Sequence, residues 1–418
     1  MSISSCTLRL WRRQRRKSNR PIAFVMVLGF VFGFVWINQR VQPGNTDGLQ
    51  QNIVPDYHDD HFRIFRQTAC VETRNFVYIK MIKCASTTLT AVLRRFGLER
   101  NLSFVLPPKN RIYIGWPYEI EDTLYRPPKS SFFNILCEHA VYNRDTMRRI
   151  MPSDTIYITS LREPFSQFKS MLNYYNIFNI SGISSKDPLH EYLENMDRYE
   201  TVYKSPASSK TRYCIPDGFS MTRNLMAYNL GFPTGFLPGT RDMSDDSDFL
   251  ETWIKGLDAD FHLVIITEYF HESMVMLRRL MCWKLRDILF STSNQLRYGH
   301  RNQTDATLVD RYKRWSKVDY ILYNHFNTSL WTRLNRQGDE FWEEVQHFRR
   351  VNNMVNRFCD SRDETVDLTI PQSTWYDTIT IPASFCKLLR EDLLNKLQEH
   401  YESLSPTFDD HQPSKYTC

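Results

Sequence analysis

Three stretches of the chain concentrate residues able to do chemistry. In Phe76 to Phe96, FVYIKMIKCASTTLTAVLRRF, an apolar run enters Lys83-Cys84-Ala85-Ser86-Thr87-Thr88, and a helical pattern leaves it. Unpaired backbone N–H groups at the start of a helix receive an anion. Lys83 can set a cation on the bridging oxygen of that anion, and Ser86, Thr87 and Thr88 add hydroxyl donors. The plainer use of Ser86 is to cap the helix. The stretch lacks G-x-x-x-x-G-K-[ST], which argues against nucleoside triphosphate chemistry. In Thr155 to Tyr175, TIYITSLREPFSQFKSMLNYY, a second apolar run ends at Leu161-Arg162-Glu163-Pro164, with proline placed to open a helix. Arg162 and Ser170, about two helical turns apart, can hold a terminal phosphate by a planar fork and one hydroxyl. A surface arginine and an ordinary helix serine are the alternative. The third stretch, Phe132 to His139, ends in two candidate bases, Glu138 and His139. Ligands of parallel α/β sheets bind beyond the carboxyl ends of the strands, so His139 should emerge on the edge that carries Lys83. Strand alternation sends Glu138 to the opposite face. The competing reading of His139 is a structural histidine bonded to a backbone carbonyl.

These residues need a scaffold, and the pattern around them supplies one. Short β-branched or aromatic runs occur at Phe76–Ile79, Phe132–Cys137, Thr155–Thr159 and Leu263–Thr267. Each precedes a polar turn and a helical pattern, which predicts an α/β fold with a parallel sheet wrapped by helices. Helices are expected over Ser86–Phe96, Pro164–Tyr175, Phe219–Leu230, Glu272–Trp283 and Asp310–Phe326, then Asp339–Phe358 and Ser384–Tyr401 in a helix-rich C-terminal region. The segment Tyr113 to Tyr118, YIGWPY, offers aromatics either to a sugar face or to ordinary packing.

The strand–K-x-A-S-T-T–helix element and the later strand–L-R-E-P-x5-K-S resemble the 5′-phosphosulfate and 3′-phosphate sites of Golgi carbohydrate sulfotransferases. Within that group the chain most resembles the galactose 3-O-sulfotransferases, which include galactosylceramide sulfotransferase. The resemblance runs from about Phe76 to Cys359 and takes in Arg94-Arg95-Phe96-Gly97, Asn134 to His139, Arg223-Asn224-Leu225, Phe261 to Val264, Glu268-Tyr269-Phe270 and Asn324 to Asn327. It implies a P-loop-like sheet and 3′-phosphoadenosine 5′-phosphosulfate (PAPS) as donor, with no metal required. It implies donor contacts at Lys83, Cys84, Ala85, Ser86, Thr87, Thr88, Arg162 and Ser170, and a catalytic base at His139. The acceptor it implies is the 3-hydroxyl of a terminal β-galactose on a glycolipid or glycoprotein. The family loop commonly reads H-K-T-A-S; here Ile82 and Cys84 flank Lys83, and Glu163 replaces the usual Asp.

The N-terminus bears on the compartment. Seven basic residues and no acidic one lie between Met1 and Arg20, and Ile22 to Ile37 is then free of charge for sixteen residues. Such a run spans roughly 24 Å as a helix, enough for a thin Golgi-type membrane. No A-x-A-like cleavage site follows, so an uncleaved signal anchor is expected, and the positive-inside rule leaves the tail in the cytosol and the rest in the lumen. The expected division is a tail over 1–21, an anchor over 22–37, a polar stem over 38–73, a lumenal sulfotransferase domain over 74–401 and a C-terminal tail over 402–418. Sequons at Asn101, Asn179, Asn302 and Asn327, and eight of nine cysteines after the anchor, agree with a lumenal body. The net charge of +6, partly in the tail, does not suggest nucleic acid as a partner. A metal-dependent glycosyltransferase is the rival enzyme, because Asp246-Ser247-Asp248 and Asp258-Ala259-Asp260 are Asp-x-Asp triplets; the alternatives are a solvated loop for the first, within the polar run Met243 to Asp248, and a helix-end or turn role for the second, just before Leu263. An inactive sugar-binding protein is the third class.

Overall fold

The structure, a computed structural model, describes residues 70–209, 211–212, 215–292, 305–361 and 366–404. Four strands form one parallel sheet: β1 (Phe76–Ile79), β2 (Ile135–Leu136), β3 (Ile156–Leu161) and β4 (Leu263–Ile266). Their spatial order is β2-β1-β3-β4. Phe76 and Val77 face Ile135 and Leu136 in register, while Phe76 to Ile79 run beside Ile156 to Thr159. All four residues of β1 are buried, as expected of a strand covered on both faces by crossover helices. The chain leaves β1 towards β2 and returns across it to β3, so the direction of winding reverses between β1 and β3. Crevices of this kind, at the carboxyl ends of the two strands, are where such sheets take ligands.

The helices that matter for the site are α1 (Ser86–Glu99) after β1, α2 (Arg144–Ile150) after β2 and α3 (Pro164–Tyr174) after β3. They are followed by α4 (Leu225–Asn229), α5 (Ser247–Asp260), α6 (Phe270–Met281), α7 (Ala306–Trp315), α8 (Lys317–Asn335) and α9 (Asp339–Ser361). An antiparallel pair, β5 (Leu368–Ile370) and β6 (Ile379–Ile381), precedes α10 (Ala383–Arg390) and α11 (Leu394–Leu404). Above the sheet edge, Phe165, Phe168, Tyr192, Phe219 and Tyr312 pack into an aromatic cluster, with Phe168 and Tyr312 stacked at 4.1 Å. These aromatics are therefore core.

Several expected elements are shorter or broken, each for a local reason. The run Phe132–Cys137 yields only a two-residue strand, because Asn134 is spent on loops: its side chain accepts from the Ser103 N–H and donates to Asn75. The helix expected over Phe219–Leu230 forms only from Leu225. The Ser220 hydroxyl holds the Thr222 and Arg223 amides in a turn, and Asn224 sits at φ 52, outside helical space. The helix expected over Asp310–Phe326 divides at Ser316, whose Oγ accepts the Asn224 N–H at 2.9 Å. The Ser384–Tyr401 helix divides between Arg390 and Leu394, and α11 continues past 401 to Leu404. The last residues of the expected stem belong to the body. Cys70 is disulfide-bonded to Cys282, Glu72 pairs with Arg100, and the Thr73 N–H donates to the Met281 carbonyl. A second disulfide joins Cys359 and Cys386. The cytosolic tail, the anchor over 22–37, most of the stem and Asn302 lie outside the described residues. No described helix is long and apolar enough to cross a membrane.

Candidate active site

The loop after β1 is held in a conformation that presents its amides. Lys83 and Ala85 both have positive φ, 63° and 55°, and Ala85 is the N-cap of α1 with no side-chain bond across the helix end. Ser86 therefore does not cap the helix, and the first N–H groups of α1 keep no side-chain acceptor of that kind. Left-handed residues beside a helix start turn successive N–H groups into one concavity, the arrangement that takes an oxyanion. Thr87 is exposed, Thr88 half-buried and Ser86 buried. The Cys84 side chain points the other way, its thiol directed at the Ile82 carbonyl and Met226 Sδ, and burial pushes its pKa up. Its departure from the family loop thus removes no hydroxyl from the concavity; Cys84 can offer only its backbone there.

The loop is fastened from β3 and α3. The Ser160 hydroxyl donates to the Cys84 carbonyl at 3.0 Å, and Gln167 donates to the Ile82 carbonyl at 3.1 Å. Arg162, at the exit of β3, donates to the Lys83 carbonyl at 3.2 Å, so the two cations predicted from separate stretches meet at the reversal between β1 and β3. The Lys83 ammonium stands 4.1 Å from the centroid of the Tyr174 ring. Burial, with Arg162 beside it, brings the Lys83 pKa down to about 8. A cation held so near neutrality gains from any anion that joins it. Ser170 is buried on α3, one helical turn before Tyr174.

His139 leaves β2 on the same edge. Its Nδ1 lies 3.1 Å from the Lys80 carbonyl oxygen. A carbonyl only accepts, so Nδ1 carries the proton and Nε2 keeps the lone pair. Burial and then the positive charges of Lys80 and Arg94 hold its pKa well below 6.5. The backbone bond of the competing structural reading is therefore present, and it fixes the tautomer a base requires. Glu138 is fully buried and turned to α1: Arg94 donates to both its oxygens, and Lys80 stands 3.4 Å away. Arg94 also pairs with Asp392 between α10 and α11. Glu138 is thereby spent as a counter-ion. Tyr113 lies alongside His139, ring centroids 5.5 Å apart, and the Ile114 N–H donates to the His139 carbonyl. Trp116 is buried against Phe219 and donates to Asn229, so of the YIGWPY segment it is core, while Tyr113 and Tyr118 are partly exposed.

Both Asp-x-Asp triplets have structural work. Asp246 caps α5 by accepting the Phe249 N–H, Asp258 faces His325, and Asp260 accepts from Tyr142 and Arg144. Among the described residues no group of three or more His, Cys, Asp or Glu is placed to hold a metal ion. Sequence reasoning missed Lys80, Arg94, Gln167 and Tyr174. For Tyr174 a signal existed, since it lies four residues after Ser170 on one helix face; the ion pairs of Arg94 span 44 and 298 positions and left none.

Comparison with known proteins agrees with this architecture. The galactose-3-O-sulfotransferase family model matches residues 6–372. The chain is 32% identical to galactosylceramide sulfotransferase of Homo sapiens over 306 residues, 71% of this chain and 67% of that protein. It is 29% identical to galactose-3-O-sulfotransferase 2 of Mus musculus over 368 residues, 86% of this chain and 83% of the relative. Against galactose-3-O-sulfotransferase 3 of Bos taurus the identity is 31% over 355 residues, 83% and 76% of the two chains. A match over most of its length, on a parallel sheet with a loop of positive-φ residues at its winding reversal, makes this chain a member of the galactose-3-O-sulfotransferase family.

Proposed function

We propose that the protein is a lumenal Golgi sulfotransferase that moves the sulfuryl group of PAPS to the 3-hydroxyl of a terminal β-galactose. The observation that carries this reading is the convergence of Lys83, Arg162 and the uncapped start of α1 at one crevice, with a neutral His139 on the neighbouring strand exit. The donor supplies a sulfuryl group on a phosphate leaving group, and the residues fit it: amides and hydroxyls from Ala85 to Thr88 receive the 5′-phosphosulfate, while Arg162 and Ser170 hold the 3′-phosphate. His139 Nε2 takes the proton of the galactose hydroxyl as its oxygen bonds to sulfur. The bond from sulfur to the phosphate oxygen breaks in line with it, and the Lys83 ammonium meets the charge that collects on that oxygen. Such charge is greatest in the transition state, so Lys83 contributes there more than in binding.

The acceptor class follows from the named relatives, one of which is a galactosylceramide sulfotransferase and the others galactose-3-O-sulfotransferases. Placement in the Golgi membrane, type II and single-pass, is supported by the basic tail and apolar run of the sequence. Two disulfides are typical of an oxidising compartment, and Asn101 and Asn179 are exposed to a glycan. Asn327 lies mid-helix in α8 and is only partly exposed, a poor acceptor by comparison. The deciding experiment is transfer of radiolabelled sulfate from PAPS to a panel of galactosides, with linkage analysis of the product. Label at the galactose 3-position is expected; label elsewhere, or none without added metal, would refute the reading.

A further inference from the structure

At the junction of α7 and α8 the surface opens into a basic groove made of two adjoining cavities of about 560 and 420 Å3. Arg223, Arg314 and Trp315 border both; Arg311 borders the first, Lys313 and Lys317 the second. Most of these cations already have partners. Arg223 lies 3.0 Å from Asp242, Lys313 3.1 Å from Asp310, Lys317 against Asp245, and Arg311 donates to the Glu194 carbonyl at 3.2 Å. Arg314 is different: it is exposed in the groove and has no ion pair or hydrogen bond among the described residues. Of the acidic side chains on the rim, Glu194 lies beside His190 and Asp245 beside Lys317, which leaves Asp197 as the one set against the arginines. Trp315 is half-buried between them, its N–H directed at the Thr222 hydroxyl and the Arg223 guanidinium 5.5 Å from its ring.

The groove is joined to the anion-receiving loop by buried contacts. Ser316 accepts the Asn224 N–H, the carboxylate of Asp319 accepts those of Met226 and Ala227, and Met226 Sδ meets the Cys84 thiol at 3.6 Å. An unpaired guanidinium selects the planar oxygens of a carboxylate or the oxygens of a sulfate ester. An indole held by its N–H offers a flat apolar face, as a sugar ring requires. A single indole and cavities of this size suit a short saccharide; a nucleic-acid strand would need a row of stacking faces.

We propose that this groove binds an acidic saccharide, with its carboxylate or sulfate on Arg314 and a sugar face on Trp315, as a carbohydrate site separate from the Lys83–Arg162 crevice. The sugar class rests on the galactose-directed function proposed above; the anionic class rests on Arg314 alone. The test is calorimetric titration of the detergent-solubilised full chain, saturated with 3′-phosphoadenosine 5′-phosphate to occupy the donor crevice. The probes are a sulfated N-acetyllactosamine tetrasaccharide, a sialylated one and their neutral parent. At least one acidic probe should bind about tenfold more tightly than the parent. Which of the two does so identifies the acid. Arg314→Glu should abolish that preference and Arg314→Lys should keep part of it, with sulfate transfer to lactose unchanged in both. Equal affinity for the neutral parent, an unaffected Arg314→Glu variant, or competition between probe and the bound nucleotide would each overturn the proposal. A wild-type protein that binds the acidic probe but transfers no sulfate would count against the function and leave the groove standing.

Discussion

At the scale of single residues, the two candidate bases are separated by what surrounds them. Glu138 neutralises Arg94 and Lys80 inside the protein, whereas His139 is neutral with its proton fixed on Nδ1. His139→Ala is expected to lower turnover by about 10²–10⁴-fold while leaving nucleotide affinity and melting temperature near wild type. Glu138→Gln should instead lower the melting temperature, by about 3 kcal/mol of stability, because it removes the carboxylate that Arg94 bonds twice and Lys80 faces, leaving Asp392 as the one acid on that buried arginine. Kinetics and thermal melts of the two variants distinguish a base from a counter-ion. The pH profile should carry the same signature. Lys83 must be cationic, and its cationic fraction falls as pH rises through about 8. The profile of kcat/KM should therefore turn down near pH 8, and Lys83→Arg should push that alkaline limb upward. His139 must be neutral, and its depressed pKa places the acid limb below the ordinary histidine value of about 6.5. The sign for stability follows. The unfolded chain takes the proton first, so the contribution of His139 is intact above pH 6.5 and is lost as pH falls below it.

At the scale of elements, α1 starts at the candidate loop and is positioned from its far end. Gly97 has Phe104 and Ile135 atoms 2.3–2.8 Å from where a Cβ would stand, so the helix lies as close to β2 as a glycine allows. Gly97→Ala should cost about 1–3 kcal/mol in denaturant unfolding and, on the proposed function, should also weaken donor binding, because the start of the same helix is the proposed anion site. The sheet and its flanking helices were legible in the sequence wherever apolar periodicity was continuous, as in Phe76–Ile79 or Pro164–Tyr174. Legibility ended where a polar side chain replaced a backbone hydrogen bond with one to a distant partner. Ser316 looks like an ordinary helix residue until Asn224, 92 positions earlier, is placed beside it. Lys83, Arg162 and His139 could be nominated because each stands just beyond an apolar run. Lys80, Arg94 and Asp392 could not, because their roles exist only through one another.

At the scale of the whole molecule, the body is stapled where it begins. The Cys70–Cys282 disulfide closes a separation of 212 residues and fixes the start of the described chain to the end of α6. Cys282→Ser should destabilise the protein by about 2–5 kcal/mol, read as a lower melting temperature under non-reducing conditions. A secreted chain starting near Asp56 retains Cys70 and should be soluble and active in sulfate transfer, whereas one starting after Glu72 should be unstable. The last described helices are built in as firmly: Asp392 meets Arg94, the Tyr401 hydroxyl takes the Phe104 N–H, and Gln398 spans the carbonyls of Pro107, Pro108 and Arg111. These contacts reach back some 290 positions, to segments that emerge from the ribosome far earlier. Arg94 therefore meets its second carboxylate only after the α10–α11 segment has followed it through synthesis. A chain that stops before Asp392 leaves Arg94 with Glu138 as its one carboxylate and more unbalanced positive charge acting on His139.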